Sequence, residues 1–122
     1  MATILVVDDS GLSRKTSRRI LEAAGHEVKD VADGMSALEQ YSLARPDIVL
    51  LDVTMVDMNG LEVLSQLRTI DPTARVIMAT ADVQTSTRSL AIASGAIGFV
   101  TKPFNGPTVI AAVDSALGSI SQ

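Results

Sequence analysis

Four apolar residues in a row, Ile48-Val49-Leu50-Leu51, stop on the carboxylate of Asp52. No other stretch restricts the fold as much. An unbroken apolar strand of this length is buried on both faces, which asks for a parallel sheet between layers of helix. An Asp at the end of such a strand is poorly placed for packing and well placed for chemistry. In open α/β sheets, ligands bind just outside the carboxyl ends of the strands. Three more runs behave alike. Ile4-Leu5-Val6-Val7 stops on Asp8-Asp9, Val76-Ile77-Met78-Ala79 stops on Thr80, and Ile97-Gly98-Phe99-Val100 leads into Thr101-Lys102-Pro103. With all four parallel, three carboxylates, a hydroxyl and an ammonium meet at one edge.

Helical patterns fill the spaces between the runs, as βαβ crossovers require. Ser10 is placed to cap a helix running to about Ala24, with Leu12, Thr16, Ile20 and Ala23 on one face and Gly25 as its left-handed end. Glu27 to Ala32 reads as a shorter strand, weak in apolar weight and therefore at an edge. Met35 to Ala44 predicts a second helix with Ala37, Leu38 and Tyr41 inward, broken at Arg45-Pro46. A third follows Asn59-Gly60, with Leu61, Leu64 and Leu67 on one side and Asp71-Pro72 as its stop. Gln84 to Ser94 makes a fourth, rich in poor helix formers and ended by Gly95. Pro107 suits the first turn of the last, whose buried stripe is Val109, Ile110, Val113 and Leu117.

Bulk composition removes several function classes. The 122 residues fit one domain, and no cysteine is present for disulfide or thiol chemistry. That fits a reducing compartment, and a cytoplasmic location is the expectation. No secretory leader or membrane span is expected, because the first apolar run is four residues long and lacks a basic flank. Net charge is −4, and the only basic cluster is Arg14-Lys15 with Arg18-Arg19, read as a solvated helix face. Direct nucleic-acid binding is not expected.

Asp8, Asp9 and Asp52 would stand on neighbouring strands. Two like charges about 4 Å apart cost roughly 4 kcal/mol at an effective dielectric of about 20. Either one pKa rises or a cation is held. Carboxylates with water suit Mg²⁺, and the lack of nearby His or Cys argues against zinc. Partial neutralisation by Lys102 without a metal stays open. Mg²⁺ beside a carboxylate, a Lys and a Thr suits phosphoryl transfer to an Asp nucleophile. The Thr80 hydroxyl and the Ala81 backbone N–H are placed to donate to a phosphoryl oxygen. Taken singly, Lys102 reads as a surface lysine, Thr80 as an ordinary strand end and Asp8-Asp9 as a helix N-terminal acid pair. Their common edge favours the chemical reading.

With these residues in place, the chain resembles the receiver domains of two-component response regulators. The resemblance rests on Val7-Asp8-Asp9-Ser10, Leu51-Asp52-Val53-Thr54-Met55 with Gly60, Ala79-Thr80-Ala81, and Gly98-Phe99-Val100-Thr101-Lys102-Pro103-Phe104, in order and at these spacings. Asp8-Asp9-Ser10 with Arg14 is further similar to the chemotaxis-type, CheY-like receivers. The match covers nearly the whole chain, so residues 1–122 are expected to be a single receiver domain with no effector domain. The resemblance implies a doubly wound, flavodoxin-like α/β fold: a five-stranded parallel sheet in order 2-1-3-4-5 with five helices.

It also implies roles. Asp52 would accept a phosphoryl group from a histidine kinase or phosphotransfer protein. Asp9, Asp52 and the Thr54 carbonyl would bind Mg²⁺, with Asp8 assisting through water. Thr80 and Lys102 would contact the phosphoryl group. Phe99 would be the aromatic switch that follows Thr80, and Lys102-Pro103 would be cis. Val56 departs from the family, which commonly has proline there; Thr54 and Asp82 occupy positions that set the lifetime of the phosphoryl group. His26, the only histidine, is expected in a solvated loop.

Residues 82–122 carry only four charges, Asp82, Arg88, Lys102 and Asp114, so the Asp82–Gln122 side is the expected output face, for a downstream protein or a second copy. Two other readings are weaker. An unphosphorylated scaffold receiver does not need the intact acid set, Thr80 and Lys102. A phosphatase of the haloacid dehalogenase type wants a second Asp two residues after the nucleophile, where this chain has Thr54. The chain is expected to be a signalling module, not an enzyme.

Overall fold

Strands and helices alternate strictly in the computed structural model: β1 (Thr3–Val7), α1 (Gly11–Ala23), β2 (Glu27–Val31), α2 (Gly34–Ala44), β3 (Ile48–Asp52), α3 (Gly60–Ile70), β4 (Val76–Thr80), α4 (Thr85–Ala93), β5 (Gly98–Thr101) and α5 (Gly106–Gly118). The structure describes residues 2–55, 57–81 and 85–118, with the side chains of 85–87 excepted. Val56 and Asp82, singled out in the sequence, lie outside the described residues, as does the expected helix start at Gln84. All strand pairs are parallel, in order β2-β1-β3-β4-β5. The doubly wound fold is the one expected.

Period-two alternation in the central strands divides the core. Leu5, Val7, Val49, Leu51, Val76 and Met78 face one side, where they pack with Ala37 and Tyr41 of α2, Val63, Leu64 and Leu67 of α3 and Ala91 of α4. Ile4, Val6, Ile48, Leu50, Ile77 and Ala79 face the other, against Leu21 of α1 and Val109, Val113 and Ala116 of α5. All five residues of β3 and of β4 are buried. The chain reverses its direction across the sheet at β1, which leaves a crevice between the ends of β1 and β3. Register then lines up the chemistry: Val7 is level with Leu51, Asp52 with Ala79 and Thr80 with Thr101.

Several local expectations are corrected. The inward face of α1 is Ser17 and Leu21, with Ile20 half-buried, while Leu12 is 77% exposed and Ala23 is exposed. Ser17 tolerates burial because its hydroxyl donates to the carbonyls of Ser13 and Arg14, at 3.0 and 3.2 Å. The edge strand β2 stops at Val31, and β5 starts at Gly98, leaving Ile97 exposed. In α5, Val109 and Val113 are buried as expected and Ala116 joins them, while Ile110 and Leu117 are only half-buried. His26 is half-buried, and its Nδ1 accepts the Ala2 N–H at 3.1 Å.

Hydrogen bonds at Val53, Asp57 and Gly60 anchor the described residues between β3 and α3. Gly60 N–H donates to the Val53 carbonyl at 2.7 Å, and Asp57 accepts the Gly34 N–H at the start of α2. A Cβ on Gly60 would lie 2.1 Å from the Asp52 carbonyl oxygen and 2.7 Å from the Val53 Cα, both backbone atoms. Gly25, by contrast, has a φ of +93° but nothing within 4 Å of a Cβ. In denaturant unfolding, Gly60→Ala is expected to cost more than about 3 kcal/mol, beyond ordinary overpacking. Gly25→Ala should cost only about 1–2 kcal/mol, the strain of a left-handed residue. Equal losses would mean that the close approach does not fix this loop.

Candidate functional site

Each acidic side chain is delivered by the end of a strand. Asp8 follows β1, where its N–H donates to the Val31 carbonyl at 3.2 Å and so extends the pairing with β2 by one residue. Its Oδ1 accepts the Ser10 N–H at 2.9 Å. Ser10 in turn caps α1, its hydroxyl oxygen accepting the Ser13 N–H at 3.3 Å. Asp52 closes β3, and its Oδ1 accepts the Thr54 N–H at 3.4 Å. Asp8 is 2% exposed, Asp52 5% and Thr80 2%, while Asp9 is exposed. One oxygen from each of Asp8, Asp9 and Asp52 falls within 4.8 Å of the others.

Lys102 completes the group. Its backbone N–H donates to the Thr80 carbonyl at 2.8 Å, past the last residue of β5. Its Nζ lies 2.7 Å from Asp8 Oδ2 and 3.4 Å from Asp52 Oδ2, and 5.8 Å from the centre of the Phe104 ring. The Lys102–Pro103 bond is cis, as the resemblance implied. Asp9, Asp52, Thr54, Thr80, Ala81 and Lys102 line one open cleft. Among the described residues, the structure thus brings together Asp8, Asp9, Asp52, Thr54, Thr80, Ala81 and Lys102, but not Phe99. That residue lies on β5 opposite Met78, half-buried against the core, with the Arg88 guanidinium 5.8 Å from its ring centre.

Burial pushes the Asp52 carboxyl up to about 6, and the neighbouring Asp8 charge adds to the rise. The Lys102 ammonium and the Thr54 N–H pull in the opposite direction. Three carboxylates balanced by one ammonium form a hard-oxygen donor set, with neither sulfur nor imidazole in the group. That composition fits Mg²⁺, which prefers oxygen ligands and keeps part of its water.

Sequence reasoning missed Arg14. Arg14 and Arg18, placed on a solvated face, both turn toward Asp30 of β2. Arg14 Nη1 also donates to the Asp8 carbonyl at 2.8 Å. Two arginines four apart on one helix, with an acid in the following strand, carried the signal. Lys15 and Arg19 are exposed, as expected of a solvated face.

A family model described as the response regulator receiver domain matches residues 4–114. The chain belongs to this family. Among curated proteins it is 41% identical to protein CcdB of Bacillus subtilis over 97% of this chain and 99% of that one. It is 37% identical to the chemotaxis protein CheY of Thermotoga maritima, covering 91% and 93%. Among solved structures, a CheX–CheY complex with beryllium trifluoride and Mg²⁺ from Borrelia burgdorferi superimposes with a TM-score of 0.91 at 34% identity, over 94% of this chain and 88% of that one. This receiver is therefore a CheY-like domain of two-component signalling.

The raised Asp52 pKa has a stability consequence. A carboxyl whose folded pKa lies above its unfolded one destabilises the fold once ionised. That penalty is complete above about pH 6 and disappears as pH falls toward about 4, where both states are protonated. Asp52→Asn in EDTA is therefore expected to be more stable than wild type at pH 8, by on the order of 1–3 kcal/mol. The gain should vanish below pH 4, roughly the unfolded carboxyl pKa. Urea unfolding across this range checks it; a variant less stable at pH 8 would contradict the assignment.

Proposed function

We propose that Asp52 is the phosphoacceptor of this receiver, taking its phosphoryl group from a histidine kinase or phosphotransfer protein. One observation carries the reading: Asp52 ends the central strand, buried, with the Lys102 ammonium 3.4 Å from its outer oxygen. An Asp52 oxygen attacks phosphorus, the bond from phosphorus to the donor nitrogen breaks, and that nitrogen recovers a proton. The product is an acyl phosphate. Lys102 pairs with a phosphoryl oxygen, and the Thr80 hydroxyl and Ala81 N–H donate to another. Asp9, Asp52 and the Thr54 carbonyl, with Asp8 assisting, would hold Mg²⁺, which would supply positive charge against the phosphoryl oxygens.

The output is a change of surface. Thr80 is level with Thr101, two residues from Phe99, so a hydroxyl drawn toward Asp52 opens space along β5. Phe99 follows, and the face of α4, β5 and α5 shifts toward its partner-bound form. Leu90, Ile92 and Ile97 are exposed on this side. Of its described charges, Lys102 turns into the site, leaving Arg88 and Asp114. A downstream protein or a second copy covers that face on this reading. Receivers are signalling modules, and no turnover is assigned to this chain; Thr54 offers no general acid. No described helix is long and apolar enough to cross a membrane. The reading places the domain in the cytoplasm, with kinase and target.

Incubation with acetyl phosphate and Mg²⁺ should give a single phosphate adduct by intact mass. Asp52→Asn should give none, EDTA should abolish it, and Lys102→Ala should slow its formation by at least about tenfold, as loss of one charge-stabilising donor does. An adduct on Asp52→Asn, or one formed equally in EDTA, would overturn the reading.

A further inference from the structure

Asp8 is anchored at every polar atom. Its N–H is bonded to Val31, its Oδ1 accepts from Ser10 and its Oδ2 pairs with Lys102. Its carbonyl oxygen accepts from Arg14 Nη1 at 2.8 Å. That oxygen belongs to the peptide unit whose nitrogen is the amide of Asp9. A planar peptide gripped at its oxygen fixes where the next Cα lies, the base from which the Asp9 side chain reaches. Asp9 is exposed, so burial does not choose its rotamer for it.

Arg14 is itself held from behind. Its Nε lies 3.5 Å from Asp30 Oδ1, and the other Asp30 oxygen is 2.6 Å from Arg18 Nη1. Arg18 is braced once more by Glu22 at 3.4 Å. The planar guanidinium therefore spans β2 and the end of β1, giving one edge to a carboxylate and another to a carbonyl, a task a point-charge ammonium does not reproduce.

We infer that Arg14 is a positioning residue for the cation-binding acids: it fixes the Asp8–Asp9 peptide so that Asp9 is aimed into the site, with Asp30 as its anchor. The inference rests on the proposed role of Asp9 as a Mg²⁺ ligand. Two effects of Arg14 oppose each other, which makes the idea testable. As a positive charge near the acids it repels a cation, so its removal should strengthen Mg²⁺ binding. As a clamp it preorganises a ligand, so its removal should weaken binding.

Calorimetric titration of the metal-free protein with Mg²⁺ separates these, at a temperature where circular dichroism shows each variant folded. Saturable binding by wild type that is weakened in Asp9→Asn upholds the underlying reading; its absence sinks that reading whatever Arg14 does. Given that binding, Arg14→Met and Arg14→Lys should each weaken it by roughly tenfold, the low end for loss of an outer partner of a metal ligand. Asp30→Asn should weaken it less, and Lys15→Met not at all. In metal-free amide spectra the Asp9 and Ser10 resonances should move in both Arg14 variants and stay in place in Lys15→Met. Tighter binding by Arg14→Met, or full affinity in Arg14→Lys with unmoved Asp9 and Ser10 amides, would overturn the clamp. Should Arg14→Met fail to fold, Arg14→Lys and Asp30→Asn decide by the same readouts.

Discussion

The ammonium of Lys102, shared between two buried carboxylates, is the interaction on which this site depends. Asp8 and Asp52 are nearly inaccessible, and their like charges stand on adjacent strands. Taking one such ion out of water without a partner is expensive. Lys102 reaches both from the far side of β4, at 2.7 and 3.4 Å. Thr80 and Ala81 at the end of β4 line the same cleft. The Lys102 backbone is tied to the Thr80 carbonyl. With Asp9 added, the group holds one positive and three negative charges, so a divalent cation brings it to neutrality.

The rest of the fold serves that edge. Parallel pairing in the order β2-β1-β3-β4-β5 sets the crevice between β1 and β3 and keeps Lys102 two strands away. The absence of a side chain at Gly60 lets α3 begin against the last peptide of β3, with its N–H on the Val53 carbonyl. Ser10 starts α1 directly after the acid pair, which puts Arg14 one turn along, within reach of the Asp8 carbonyl. Far from the site, Tyr41 joins α2 to the end of α3. Its hydroxyl donates to Asp71 at 2.8 Å, and burial, reinforced by the Asp71 charge, pushes its pKa up to about 12. That joint is a stabilising device at the end of the sheet opposite the chemistry.

The sequence made the strands legible because burial on both faces leaves only apolar residues there, and a strand must then stop on whatever the edge needs. Asp8, Asp9, Asp52, Thr80 and Lys102 were found for that reason. The face of α1 was misread because apolarity and burial part company in that helix. Leu12 is apolar and exposed, while Ser17 is polar and buried, satisfied by carbonyls of its own helix. Arg14 and Arg18 were misplaced because the acid they pair with, Asp30, stands on the next strand, so the signal is divided between a helix and a strand and the helix pattern alone does not show it. His26 does lie in a loop, but it was taken as solvated because nothing nearby in sequence marks the Ala2 N–H as its partner.

The central claim is that Asp52 is a buried, incompletely neutralised carboxylate awaiting positive charge. Its titration tests this most directly. Carbon-detected NMR of the Asp52 carboxyl, followed against pH in the metal-free protein, should give a midpoint near 6, since burial and Asp8 outweigh Lys102. Saturating Mg²⁺ should move that midpoint down, because a bound cation favours the ionised form. An ordinary carboxylate midpoint near 4, unchanged by Mg²⁺, would contradict the account.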